Sequence, residues 1–138
     1  MDSGLKAFLA VCAGVAIGLI LISIGHAFSP YQPVGGIDYN NPAAYGDWLR
    51  SLPAEAFGII LVIFLIATFV GGFVTGWITP PVSFPPSFIM GFTLLFYNIV
   101  TVLAFPNPAW MSYSSCVGCV AFALLGGWVA QKTKPVAR

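Results

Sequence analysis

Four long apolar stretches constrain this chain more than any other feature of its sequence. They cover about residues 7–28, 56–78, 87–105 and 111–130. About 20 apolar residues in a helix cross the roughly 30 Å hydrocarbon core of a bilayer. A helix also satisfies its own backbone hydrogen bonds, which hydrocarbon requires. The sequence therefore predicts an all-α fold, a four-helix transmembrane bundle that forms a single domain over residues 1–138.

The scarcity of charge fits the same environment. Charged residues make up 7% of the 138 residues, whereas a soluble domain has about 25%. We therefore expect the protein to lie in a lipid bilayer. Its net charge of +1 gives no basis for nucleic-acid binding. Lys6 before the first apolar stretch also fits a signal peptide, but we expect this segment to be retained as a helix.

The distribution of basic residues predicts the orientation of the chain in the membrane. Cytoplasmic loops and termini are enriched in lysine and arginine, and an even number of spans puts both termini on one side. We therefore expect both termini in the cytoplasm and the protein in the cell (inner) membrane. The basic residues near the termini are Lys6, Lys132, Lys134 and Arg138, whereas the loop after the first span has Asp38, Asp47 and Glu55 with Arg50.

The loop between the first two spans, residues 29–54, predicts a short helix of its own. Asn41-Pro42 is typical of an N-cap followed by proline at the first helical position. The residues that follow predict an amphipathic helix at the outer membrane surface. This helix either closes the bundle as a lid or forms part of a site. Its expected apolar face consists of Ala44, Tyr45, Trp48, Leu49 and Leu52.

Small residues recur at four-residue spacing in three of the spans. Such rows let helix backbones approach closely in a membrane. We expect them to pack the helices of one copy together, with contact to other membrane proteins or to further copies as the alternative. The residues are Gly14 and Gly18, Gly72 and Gly76, and Cys119, Ala123 and Gly127.

Four polar residues within the spans form a candidate cluster near the outer surface. Ser23 and His26 are one turn apart in the first span, and Asn98 and Thr101 are one turn apart in the third. The rise of about 1.5 Å per residue puts the two pairs at similar depth. They either hydrogen-bond between helices or line a polar path in a transporter or channel.

Cys116 and Cys119 form a CxxC motif at the start of the fourth span. This setting resembles that of membrane thiol oxidoreductases of the vitamin K epoxide reductase type, which pass electrons to a quinone. Those enzymes use a second cysteine pair in an outer loop, and residues 29–54 contain no cysteine. We therefore interpret both cysteines as structural, and we expect no catalytic residue, no metal site and no cofactor.

Much of the chain resembles a family of small bacterial membrane proteins with four spans and no activity that can be attached to them. The resemblance implies the four-span topology and a bacterial inner membrane. The chain departs from the family at Asn107, where members often have histidine, and in its CxxC motif. The residues that carry the resemblance are 14–18, His26, 31–38, 41–44, 52–57, Gly71, Gly72, Asn98, 106–110, Gly126 and Gly127.

These features together favour a non-enzymatic membrane protein. It is expected to act as an accessory or structural subunit of a larger membrane complex, or as a homo-oligomer. A small transporter or channel, built from several copies, is the first alternative. A thiol or quinone oxidoreductase that uses the CxxC motif is the second.

Overall fold

The computed structural model of the protein describes residues 2–31, 35–38, 40–80 and 85–134. Arg138 and residues 81–84, part of the proline-rich turn between the second and third spans, lie outside this part of the chain. The elements, in order, are α1 (Ser3–Ala27), α2 (Pro42–Ser51), α3 (Ala54–Ile78), α4 (Pro85–Ala104) and α5 (Ala109–Thr133).

The described residues form helices and no strands, which confirms the predicted all-α fold. Helices α1, α3, α4 and α5 are each long and apolar enough to cross a membrane, and the protein is a membrane protein on this evidence. The long helices begin before the predicted spans, as at Ser3 of α1, where residue 7 was expected. The prediction followed hydrophobicity, whereas a helix can continue through polar residues beyond the hydrocarbon.

Successive long helices run in opposite directions. Ala10 of α1 lies beside Thr75 of α3, and Gly25 lies beside Ile63, so these two helices are antiparallel. The same alternation continues through α4 and α5. The start of α1 and the end of α5 therefore lie at the same end of the long-helix bundle, which we call the terminal end. Helix α2 lies at the other, here called the α2 end.

Glycines allow close helix packing in the terminal half of the bundle. A Cβ atom added at Gly14 would lie 2.6 Å from the carbonyl oxygen of Gly71. One added at Gly76 would lie 2.7 Å from the Cα of Gly127. Backbones this close leave no room for a side chain between them, so α3 is held tightly against both α1 and α5.

Helix α2 confirms the predicted short helix in the loop. Its N-cap is Asn41, whose side chain accepts hydrogen bonds from the backbone N–H of Ala43 and of Ala44. Tyr45 packs edge-on against Phe105, with 4.8 Å between ring centroids. Gly46 is buried because it lies against Pro106. Ala44, which was expected on the apolar face, is exposed instead. Helix α2 thus rests on the segment between α4 and α5.

Candidate functional site

A cavity of about 380 Å³ lies beneath α2. This volume is within the range of about 300–1,000 Å³ that is usual for small-molecule sites. All five helices contribute to its wall, together with the segment between α4 and α5. We call it the α2-end cavity, and its lining residues are Ile22, His26, Tyr31, Tyr45, Trp48, Leu49, Ile60, Phe64, Tyr97, Asn98, Thr101, Val102, Phe105, Asn107, Met111 and Ser115.

The cavity follows from a change in side-chain size along the bundle. Glycines hold the backbones together in the terminal half, whereas bulky residues such as Ile60 and Met111 stand at the α2 end. Ile22 and Phe64 belong both to the cavity wall and to a buried apolar cluster with Cys119. The cavity is therefore bounded toward the middle of the membrane by packed apolar side chains.

Three of the four residues in the predicted polar cluster line this cavity: His26, Asn98 and Thr101. Ser23 is not among the lining residues, and its exposed hydroxyl donates a hydrogen bond to the carbonyl of Leu19 in the same helix. Thr101 likewise donates to the carbonyl of Tyr97, one turn earlier. The structure thus brings together polar residues from α1 and α4, and it adds Ser115 from α5.

Asn98 makes the most specific polar contacts in the wall. Its Nδ2 donates to the Oγ of Ser115 at 2.8 Å and lies 3.6 Å from the Sγ of Cys116. The Ser115 hydroxyl itself donates to the carbonyl of Ser112 at 3.0 Å. Because that hydrogen is already used, Ser115 Oγ has to accept from Asn98. This fixes the orientation of the Asn98 amide, with Nδ2 toward α5.

Aromatic side chains make up half of the rest of the described lining, which includes no residue with a formal charge. Among the described residues that surround the cavity there is no Asp, Glu, Lys or Arg. An ion pair on α2 joins Arg50 to Asp47 at 3.0 Å, and both side chains are largely exposed to solvent. The six aromatic residues of the lining are Tyr31, Tyr45, Trp48, Phe64, Tyr97 and Phe105.

The cysteines occupy three different environments. Cys12 is exposed on α1, Cys116 is half-buried beside Asn98, and Cys119 is fully buried beside Phe64 and Ala67. All three are free thiols. Within the described part of the chain, His, Cys, Asp and Glu side chains form no group of three that could hold a metal ion.

The residues with small side chains that were predicted to pack helices all lie inside the bundle. A Cβ at Gly18 would contact Leu94 of α4 at 3.2 Å, and one at Gly72 would overlap the backbone of Ala123. In the structure these rows contact neighbouring helices of the same chain. The buried residues concerned are Gly14, Gly18, Gly72, Gly76, Cys119, Ala123 and Gly127.

Sequence patterns identified Tyr45 and Trp48 on the apolar face of α2 but did not identify the other aromatic residues of the cavity. Tyr31 follows α1, and Phe105 and Asn107 lie between α4 and α5, so their proximity depends on tertiary packing. The available signals were the amphipathic pattern of α2 and the prolines that fix the turn against which it packs. Neither signal specifies which side chains enclose a space.

Comparison of the chain with protein-family models, with curated proteins and with solved structures finds no match. What can be concluded of the protein therefore comes from its own residues. In its described part it is a membrane protein with four long apolar helices, and the described lining of its α2-end cavity is rich in aromatic side chains and includes no Asp, Glu, Lys or Arg.

Proposed function

We propose that this is a non-enzymatic membrane protein that binds a small amphipathic molecule in the α2-end cavity. The observation that carries the proposal is the composition of the cavity wall, in which apolar and aromatic side chains surround a few oriented polar groups. Small-molecule sites have this composition because apolar walls supply affinity and polar groups supply orientation. Helix α2 contributes Tyr45, Trp48 and Leu49 to this wall.

Identification of co-purifying small molecules tests this proposal. The native membrane is solubilised gently, and extracts of the purified protein are compared with those of two variants of α4. Val102→Phe fills the cavity, because Val102 lines it. Val100→Phe adds the same ring to a side chain that is 51% exposed and does not line the cavity. The proposal requires a molecule that is lost only from Val102→Phe; identical extracts from all three proteins would contradict it.

A transporter is the second candidate, and the convergence of His26, Asn98 and Thr101 on one cavity favours it. Passage through a single copy would require the terminal half to open where Gly14 meets Gly71 and where Gly76 meets Gly127. Flux measurements with reconstituted protein separate the two roles. A transporter moves the bound molecule across the vesicle membrane, whereas a binding protein only retains it.

We also propose that the protein works as an accessory subunit of a larger membrane complex or as a homo-oligomer. Phe88, Phe92 and Phe96 form a row of exposed aromatic side chains along α4, a surface that suits both lipid and a partner helix. Native mass measurement after gentle extraction tests this role. A free monomer as the single species would contradict it.

Both termini are proposed to lie in the cytoplasm, which would place the α2-end cavity at the outer surface of the cell (inner) membrane. Lys6, Lys132 and Lys134 stand at the terminal end. The pKa of Lys134 is lowered, first by partial burial and then by the nearby positive charge of Lys6. This coupling supports a concentration of positive charge at one end, which is typical of the cytoplasmic side.

A further inference from the structure

We propose that the α2-end cavity selects a neutral aromatic molecule that donates a hydrogen bond to Oδ1 of Asn98. This inference rests on the proposed binding function and specifies the chemistry of the occupant. Three properties of the wall lead to it: the absence of formal charge in its described lining, its aromatic rings and the orientation of one buried amide.

The first property is electrostatic. Moving an ion from water into a wall without a compensating charge is strongly unfavourable. The described lining residues include no Asp, Glu, Lys or Arg, and the pair formed by Asp47 and Arg50 on α2 is largely exposed to solvent. A carboxylate or an ammonium group would therefore lose its hydration at this site without gaining an ion pair. The wall favours a neutral occupant.

The second property is the aromatic content of the wall. Rings pack well against rings in offset or edge-on arrangements, beyond the effect of buried area alone. Tyr45 and Phe105 already meet edge-on, with an interplanar angle of 75°, and Trp48 lies 5.4 Å from Tyr45 between centroids. A planar aromatic occupant can extend this set of contacts, whereas a branched aliphatic one cannot.

The third property is the hydrogen-bonding capacity of Asn98, which is only 7% exposed. Its Nδ2 is directed at Ser115 and Cys116, so the amide carbonyl faces away from α5. Among the hydrogen bonds of the described residues, none has Oδ1 of Asn98 as acceptor. No fully buried side-chain oxygen in the described chain is without a partner. Oδ1 is therefore accessible rather than sealed, and Asn98 lines the cavity. It can accept a hydrogen bond from an O–H or N–H group.

Fluorescence of Trp48 provides a direct readout, because it is the one tryptophan of four that lines the cavity. Replacing Trp77, Trp110 and Trp128 with phenylalanine leaves Trp48 as the reporter. Three bromoaromatic probes of similar size quench it by the heavy-atom effect. 4-Bromophenol is a neutral donor, 4-bromoanisole lacks the donor, and 4-bromobenzoate is an anion. The probes are added to full-length protein in lipid nanodiscs at about pH 7.5. At this pH a histidine side chain with the ordinary pKa of about 6.5 is mostly neutral.

We expect saturable quenching by 4-bromophenol and about tenfold weaker binding of 4-bromoanisole, as for loss of one buried hydrogen bond. Asn98→Leu should remove this difference, whereas Thr93→Val, at an exposed polar position of the same helix, should retain it. Comparing the ratio of the two probes between proteins cancels their partition into lipid, and the partition of each probe into nanodiscs without protein is measured to correct the ratio in the parent protein. The ratio in the parent protein tests the inference even if Asn98→Leu fails to fold.

The other outcomes separate this inference from the proposed function. If both neutral probes bind equally to the parent protein and Val102→Phe weakens both, the cavity binds molecules but the role of Asn98 as acceptor is overturned. Tighter binding of 4-bromobenzoate would overturn the preference for a neutral occupant. If no probe quenches Trp48 saturably, the proposed function fails together with the inference.

Discussion

Asn98 of α4 donates a hydrogen bond to Ser115 of α5 over 2.8 Å, in the wall of the cavity beneath α2. The bond joins two helices at the level where the bundle widens. It also determines which atom of the Asn98 amide remains available to an occupant. A structural contact between helices and the recognition of a ligand thus depend on the same side chain.

We predict that Ser115→Ala weakens this helix contact. An interhelical hydrogen bond in a membrane contributes about 0.6 kcal/mol on average and about 1.7 kcal/mol at most. The free energy of unfolding should fall by an amount in this range in a denaturing-detergent titration. Ser114→Ala, at the exposed neighbouring position, should leave it unchanged. Equal effects of the two substitutions would show that the hydrogen bond contributes nothing.

We predict opposite effects for two glycine substitutions in α3. Gly72→Ala places a methyl group within 2.7 Å of the Cα of Ala123, and such overpacking costs about 1–3 kcal/mol. Gly58 has nothing within 4 Å of an added Cβ. Gly58→Ala should be neutral or slightly stabilising, since alanine is about 0.8–1 kcal/mol better than glycine in a helix. Thermal unfolding of the two variants measures the difference, and a Gly72→Ala protein as stable as Gly58→Ala would refute close packing at this contact.

We predict that the CxxC cysteines are structural. The double variant Cys116→Ser, Cys119→Ala should keep the fold and the binding of 4-bromophenol, because Cys119 lies in an apolar cluster where a small residue suffices. A water-soluble maleimide should leave Cys119 unmodified in intact membranes. Rapid stoichiometric modification of Cys116, or a quinone bound beside it, would instead favour the oxidoreductase hypothesis.

We predict that α2 faces the outside of the cell. In a background of Cys12→Ala, Cys116→Ala and Cys119→Ala, single cysteines replace Asp47 on α2 and Thr133 at the end of α5, two exposed positions. A membrane-impermeant maleimide should label the cysteine at position 47 in intact cells. It should label position 133 only after permeabilisation. The reverse pattern would invert the proposed orientation.

Local properties of the sequence account for the parts of the fold that could be predicted. The length of each apolar stretch specifies the four long helices, and Asn41-Pro42 specifies the start of α2. The depth of the polar residues also follows from helical rise. The rise does not tell which way each side chain faces. Ser23 and His26 are one turn apart in α1, yet only His26 lines the cavity. Which face of a helix turns inward depends on its neighbours, and the glycine contacts that determine those neighbours join residues far apart in the chain.

The cavity itself could not be predicted for the same reason. It exists where Tyr31, Trp48 and Phe105, from three separate segments, surround a space that none of them defines alone. The polar residues Asn98 and Thr101 were identified as candidates from their cost in a membrane span. Their role in a site that is rich in aromatic side chains depends on where α2 packs.

Binding of 4-bromophenol to the cavity-filled variant is the most direct measurement of whether the α2-end cavity is a ligand site. Trp48 quenching is titrated in the parent protein, in Val102→Phe and in Val100→Phe, each in the same nanodiscs. We predict that Val102→Phe weakens saturable binding by at least about tenfold, since the added ring occupies the site, and that Val100→Phe binds as the parent does. Equal binding by all three proteins would show that the molecule binds outside the cavity and would contradict the proposed function.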